Sequence, residues 1–165
     1  MFTVEIEDQE VVAALQRIGE ALTDMTPVMQ DIGELMVYST KSRFLAGEAP
    51  DGTPWAPKSQ TTRDSYARRR DPIDDRPLFG PSRRLSSEIH YSAGSEGVEW
   101  GSSLIYAATQ HFGAARGSFG TTRRGGAIPW GDIPARPFLG LSEGDRADVL
   151  DTVNSWLERV ARGGG

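Results

Sequence analysis

The sequence predicts an α+β fold: an antiparallel sheet of about four strands packed against two N-terminal helices and one C-terminal helix, with long Pro/Gly-rich loops between them. Three observations carry that expectation. Apolar residues recur at helical spacing from Val11 to Leu22, from Val28 to Phe44 and again between Ala147 and Val160. The segment "EIHYSAGSEGVEW" alternates apolar and polar residues on both sides of a Gly-Ser-Glu-Gly reversal. Finally, 19 Gly and 10 Pro, gathered between those segments, give the loops an unusual share of the chain. At 165 residues the chain has room for one domain, taken as residues 1–165, but not for two and a linker.

"FTVEIED" alternates and reads as a first strand, with Phe2, Val4 and Ile6 on one face. Asp8 then caps a helix from about Gln9 to Asp24, whose stripe is Val11, Val12, Leu15, Ile18 and Leu22. Thr26 with Pro27 behind it reads as the N-cap and first residue of a second helix, in which Val28, Ile32, Leu35, Met36 and Phe44 continue to about Ala46. "GEAPDGTPWAPKSQ", residues 47–60, breaks regular structure with three prolines and an Asp-Gly turn, and is expected to be a flexible loop around Trp55.

Ser59 can cap a short helix running through Tyr66 into Arg68, Arg69 and Arg70, after which "DPIDDRPLFGPS" is again rich in turns. The hairpin follows, with Ile89 and Tyr91 alternating before the turn and Val98 and Trp100 after it. "LIYAATQHFG" is a short helix closed by Gly113. "AARGSFGTTRRGGA", residues 114–127, is expected to be flexible in the isolated chain and to order on contact. Ser142 can cap the last helix, with Ala147, Val149, Leu150, Val153, Trp156, Leu157 and Val160 on its apolar face.

Composition excludes several function classes. With no Cys there is no disulfide framework, thiolate nucleophile or cysteine zinc site. No apolar stretch approaches the ~20 residues of a membrane span, and the acidic start "MFTVEIEDQE" is unlike a signal peptide. The net charge of -5 is unevenly distributed. Residues 1–57 carry 3 basic and 10 acidic side chains, 58–84 carry 8 and 4, and 85–165 carry 7 and 9. A basic block inside an acidic chain fits an oriented contact with another copy or a partner better than general nucleic-acid affinity.

No catalytic, cofactor or metal set stands out. His90 and His111 are the two histidines, and a metal site would have to recruit distant carboxylates such as Asp74 or Asp75. There is no Gly-x-Ser-x-Gly elbow, and the glycines of 113–126 have the wrong spacing for a phosphate loop. "DPIDD" resembles a carboxylate cluster, but Asp before Pro is first of all a turn former. The clusters Arg68 to Arg70, Arg83 with Arg84, and Arg123 with Arg124 are the best case for DNA contact. Aromatics are not interleaved with them, so contact with the acidic third of a neighbouring copy is preferred. Trp55, Trp130 and Phe138 lie in proline-rich extended segments. Each alone reads as the edge of the core; together they suggest anchors of a subunit interface.

Four segments in order, "RFLAGEAPDGTPWAP", "PLFGPSRRLSSEI", "YAATQHFG" and "IPARPFLGLSEGDRADVLDTV", resemble the phage virion morphogenesis family, the tail-completion proteins of Mu-like and P2-like tailed phages. With the early strand and helix, the resemblance spans nearly the whole chain. It implies a structural, non-enzymatic subunit at the head-proximal end of the tail, which terminates the tube or joins it to the head. It further implies a homo-oligomeric ring, often of six copies, meeting the tail tube protein and the head-tail connector or neck proteins. The chain would then reside in the virion neck after assembly in the host cytoplasm, with no membrane partner and no cofactor. The rival reading is a DNA-contacting neck, packaging or head-assembly factor that uses the arginine clusters.

Within this frame "IPARPFLG", residues 133–140, reads as a preformed contact ribbon. Its prolines fix an extended backbone, so presenting Arg136, Phe138 and Leu139 to a partner loses little entropy. The candidate interface set is therefore Trp55, Arg68, Arg69, Arg70, Arg83, Arg84, Arg123, Arg124, Trp130, Arg136, Phe138 and Leu139.

Overall fold

A computed structural model describes residues 3, 8–72 and 74–164. The expected first strand, with Phe2, Val4 and Ile6, lies outside the described residues. The described elements run α1 Gln9–Ala21, α2 Thr26–Ala46, α3 Gln60–Arg69, α4 Arg84–Ser87, β1 His90–Ala93, β2 Val98–Gly101, α5 Ala107–Phe112 and α6 Glu143–Ala161.

The organising element is α2, 21 residues and so about 31 Å long. Val28, Ile32, Met36, Thr40 and Phe44 fall at successive i+4 positions, and all are buried. This ridge runs the length of the helix and divides the core in two. Val28, Ile32 and Met36 pack with Trp156 of α6. Phe44 packs at the other end with Trp55, Leu78, Phe79, Leu85, Ile89, Ala107 and Phe138. Trp100 of β2 touches both clusters. α2 lies against α6 and beneath the hairpin, and α1 lies along α6.

Caps explain where the helices stop. Asp8 accepts from the Glu10 and Val11 amides, and Ser59 accepts from Thr62. Ser142 and Asp145 form a reciprocal capping box at the start of α6. Thr26 is already inside α2: Met25 stands at the N-cap, and the Asp24 carboxylate accepts the Thr26 amide at 3.0 Å. α2 ends at Gly47, whose φ is 76°.

β1 and β2 pair antiparallel, with Tyr91 opposite Trp100 and Ala93 opposite Val98. The backbone passes so close to α2 here that a Cβ on Gly33 would lie 2.3 Å from the Tyr91 ring. Among the described residues the sheet has two strands, where about four were expected. Proline removes ladder donors from residues 133–140, and residues 114–133 pair only through isolated bridges. The fold is α+β, with most of its regular structure helical.

Candidate interaction surfaces

The clearest correction concerns the ribbon Ile133–Gly140, which faces inward. Phe138 is 1% exposed, Arg136 and Trp55 are each 6% exposed, and Leu139 is half-buried against the same cluster. The segment is stapled along its length. The Arg136 amide donates to the Gln110 carbonyl at 3.0 Å, and its guanidinium donates to the Ala56 and Pro57 carbonyls at 2.7 and 2.9 Å. Trp55 Nε1 donates to the Pro137 carbonyl at 2.8 Å. The Phe138 amide donates to His111 Nδ1 at 3.3 Å. The Phe138 ring meets those of Phe44 and His111 with centroids 5.3 and 5.1 Å away. Fixed extension thus presents these side chains to the chain's own core, and Arg136, Phe138 and Trp55 are not available as surface anchors.

Beside this strap lies a feature that the sequence reading missed. Arg43 of α2 pairs with Asp145 of α6, both about 95% buried, and Arg43 Nη1 donates to the carbonyls of Phe138 and Gly140 at 3.2 and 2.9 Å. Ser39 donates to the same carboxylate, and the Ser142 amide donates to it at 2.7 Å. Burial alone pushes the Asp145 pKa up, but the bonds from Ser39 and Ser142 and the Arg43 charge outweigh it and hold the carboxyl below its usual range. One ion pair therefore ties two helices to the strap. The legible signal was Asp145 at the third helical position after Ser142; its partner is 102 residues away.

The arginine clusters divide by partner. Arg69 bonds to Asp71 at 2.8 Å, Arg84 to Glu88 at 2.7 Å, and Arg83 reaches Asp74 at 3.5 Å. Asp74 is also held by Arg76, whose side-chain hydrogen bonds keep its carboxyl well below the carboxylate range. The "DPIDD" carboxylates thus serve a turn and neighbouring arginines, with Asp75 facing Arg63 at 3.4 Å. Arg68, Arg70, Arg123 and Arg124 are exposed and have no carboxylate partner among the described residues.

His90 is exposed on β1, whereas His111 is partly buried and occupied by the Phe138 amide; burial lowers its pKa. Among the described residues, no three His, Cys, Asp or Glu side chains lie close enough to hold a metal ion. A cleft of about 500 Å³ opens between α3, α5 and the strap, with Lys58, Tyr66, Arg84, Tyr106 and Arg136 on its wall. Lys58 Nζ donates to the Asp74 and Phe79 carbonyls, so Lys58, like Arg136, pins loops together. No helix among the described residues is long and apolar enough to cross a membrane.

Two exposed surfaces each gather several large apolar side chains. Residues 114–133 form an arm whose legs are joined by the Ala114 and Ile133 amide-carbonyl pair at 2.9 and 2.7 Å, Gly117 to Pro129 at 3.0 Å, and Phe119 to Ile128 at 2.8 Å. Gly113 makes its base possible: φ is 77°, and a Cβ would lie 2.6 Å from the Ile133 carbonyl. Trp130 is 76% exposed and Phe119 57%, with Arg123 and Arg124 at the tip. The second surface is α1, which buries no residue completely; Val11, Val12, Leu15 and Leu22 are all at least half exposed. The stripe expected to close onto the core therefore meets α6 with only part of its width.

The phage virion morphogenesis family profile matches residues 6–158. A protein of Haemophilus influenzae, "Mu-like prophage FluMu G protein 2", is 27% identical over 163 residues, covering 98% of this chain and all of that protein. No solved structure matches. With nearly its whole length accounted for by one family, the chain belongs to the phage virion morphogenesis family and so to the structural proteins of phage particles.

Proposed function

We propose that this chain is a non-enzymatic subunit that completes or terminates the phage tail and takes part in head-tail joining, as a homo-oligomeric ring at the neck. The observation that supports the reading is the pair of surfaces on α1 and the arm, where several large apolar side chains lie together in water. A chain that acts through contact needs such surfaces, and a ring needs two different ones on each copy. Family membership supplies the setting, and the tail tube protein and the head connector or neck proteins are the partners it fits.

The experiment is deletion of the gene in its phage or prophage, followed by electron microscopy and complementation. Tails of uncontrolled length identify a terminator, and tails unattached to heads identify a joiner. Normal, attached tails would reject both roles. A DNA-contacting role draws on Arg68, Arg70, Arg123 and Arg124, the arginines of the three clusters that have no carboxylate partner among the described residues. Salt-dependent binding to duplex DNA, with a slope of several counterions, would favour it. The net charge of -5 and the carboxylates beside Arg69, Arg83 and Arg84 weigh against it.

A further inference from the structure

We infer that the arm of one copy, residues 114–133, docks on the exposed face of α1 in the next copy. The inference rests on the proposed self-assembly and names the two surfaces that make it. Both are amphipathic in the same way and opposite in charge. The arm presents Phe119, Ile128 and Trp130 with Arg116, Arg123 and Arg124. The helix face presents Val11, Val12, Leu15 and Leu22, bordered by Asp8, Glu10, Glu20 and Asp24.

None of these three arginines and none of these four carboxylates forms an ion pair within the chain among the described residues. Asp132, the arm's own carboxylate, accepts the Arg116 amide at 2.8 Å and stiffens the base. Arg17, the cation within α1, donates to the Ala161 carbonyl at 2.6 Å and so belongs to the α6 side of the helix. Each surface thus carries a net charge around uncovered apolar groups, positive on the arm with Asp132 counted and negative on α1 with Arg17 counted, and each supplies what the other lacks. Because the two patches differ, their contact is heterologous and repeats from copy to copy, which closes a ring when the rotation allows.

The arm's construction suits this role. Cross-leg backbone bonds continue from Ala114 and Ile133 out to Thr122 and Gly126 at 2.8 Å, so the arm is a built element before contact, and its docking orders few residues. The tip arginines are separated from the core by the two legs, which places their charge on the element that reaches outward.

Charge reversal tests the pairing. Arg123→Glu with Arg124→Glu, or Glu10→Arg with Glu20→Arg, should each weaken self-association at least tenfold by sedimentation, with thermal unfolding of the dilute protein unchanged. All four changes in one chain should restore it. In addition, the chain has no Cys, so Leu15→Cys and Phe119→Cys proteins can be mixed and oxidised. A disulfide-linked dimer containing one of each is expected.

Full association in both reversed proteins, failure of the fourfold variant to recover, or crosslinking within single copies of a Leu15→Cys/Phe119→Cys chain would overturn the inference. So would loss of duplex DNA binding, with assembly intact, as the effect of the tip reversals. A wild-type protein that never associates would sink the self-assembly reading itself, whereas an associating wild type with insensitive variants sinks only the arm-to-helix contact.

Discussion

Phe138→Ala separates a core strap from a surface ribbon. Phe138 is 1% exposed, its ring is flanked by Phe44 and His111, and its amide and carbonyl are taken by His111 and Arg43. Truncation removes the ring from a packed cluster that the strap, tied at Pro137 and Gly140, cannot collapse to fill. The expected loss is about 3–5 kcal/mol. At about 2–4 °C per kcal/mol for a chain of this size, the Tm should fall by roughly 6–20 °C. The assay is thermal unfolding by circular dichroism of dilute protein, where assembly contributes least, with Trp130→Ala as control. Trp130 is 76% exposed, and its truncation should change stability by no more than about 0.5 kcal/mol while weakening association. A Phe138→Ala protein with an unchanged Tm but impaired assembly would refute the inward strap and return Phe138 to the interface.

Three further outcomes follow from the packing and charge. Gly33→Ala should destabilise by about 1–3 kcal/mol in denaturant titration, because the added methyl enters the Tyr91 ring and that ring is fixed by the strand pairing. Arg43→Met should cost about 3–5 kcal/mol by leaving Asp145 buried and unpaired; adding Asp145→Asn should recover much of it, since Asn can still accept the Ser142 amide. His111 has its pKa lowered by burial, so the unfolded chain binds its proton first and stability falls as pH drops below about 6.5. Asp145, also lowered, adds a second loss in acid, below its unfolded value of 3.8. His111→Gln should remove the first decline and spare the second in Tm measured against pH, and an unchanged profile would contradict the role given to Nδ1.

The sequence discloses what is local. Asp8, Ser59, Ser142 and Gly113 mark helix ends because a cap is decided within four residues, and the hairpin at 94–97 is visible because its turn and both strands are adjacent. It does not disclose what depends on distant partners. Proline fixes the extension of 133–140 but not its direction, which Trp55, Arg43 and His111 decide from three other parts of the chain. The stripe of α1 announces an apolar face without saying what covers it, and α6 covers only part. The arm was expected to be flexible because Gly, Ser and Arg dominate residues 114–127; the legs' pairing partners, Ile128 to Ile133, lie just beyond that window. Among the candidate residues, exposure follows the same rule: the arginines are outside because nothing nearby desolvates them, while Arg136 is inside because two carbonyls from residues 56 and 57 receive it.

The most direct test is the mass of the purified wild-type protein in solution, measured across concentration and salt. Opposite charges around apolar patches predict a defined oligomer that assembles as concentration rises and loosens as salt screens the charges. A protein that stays at 18.0 kDa at high concentration and low salt would contradict the account.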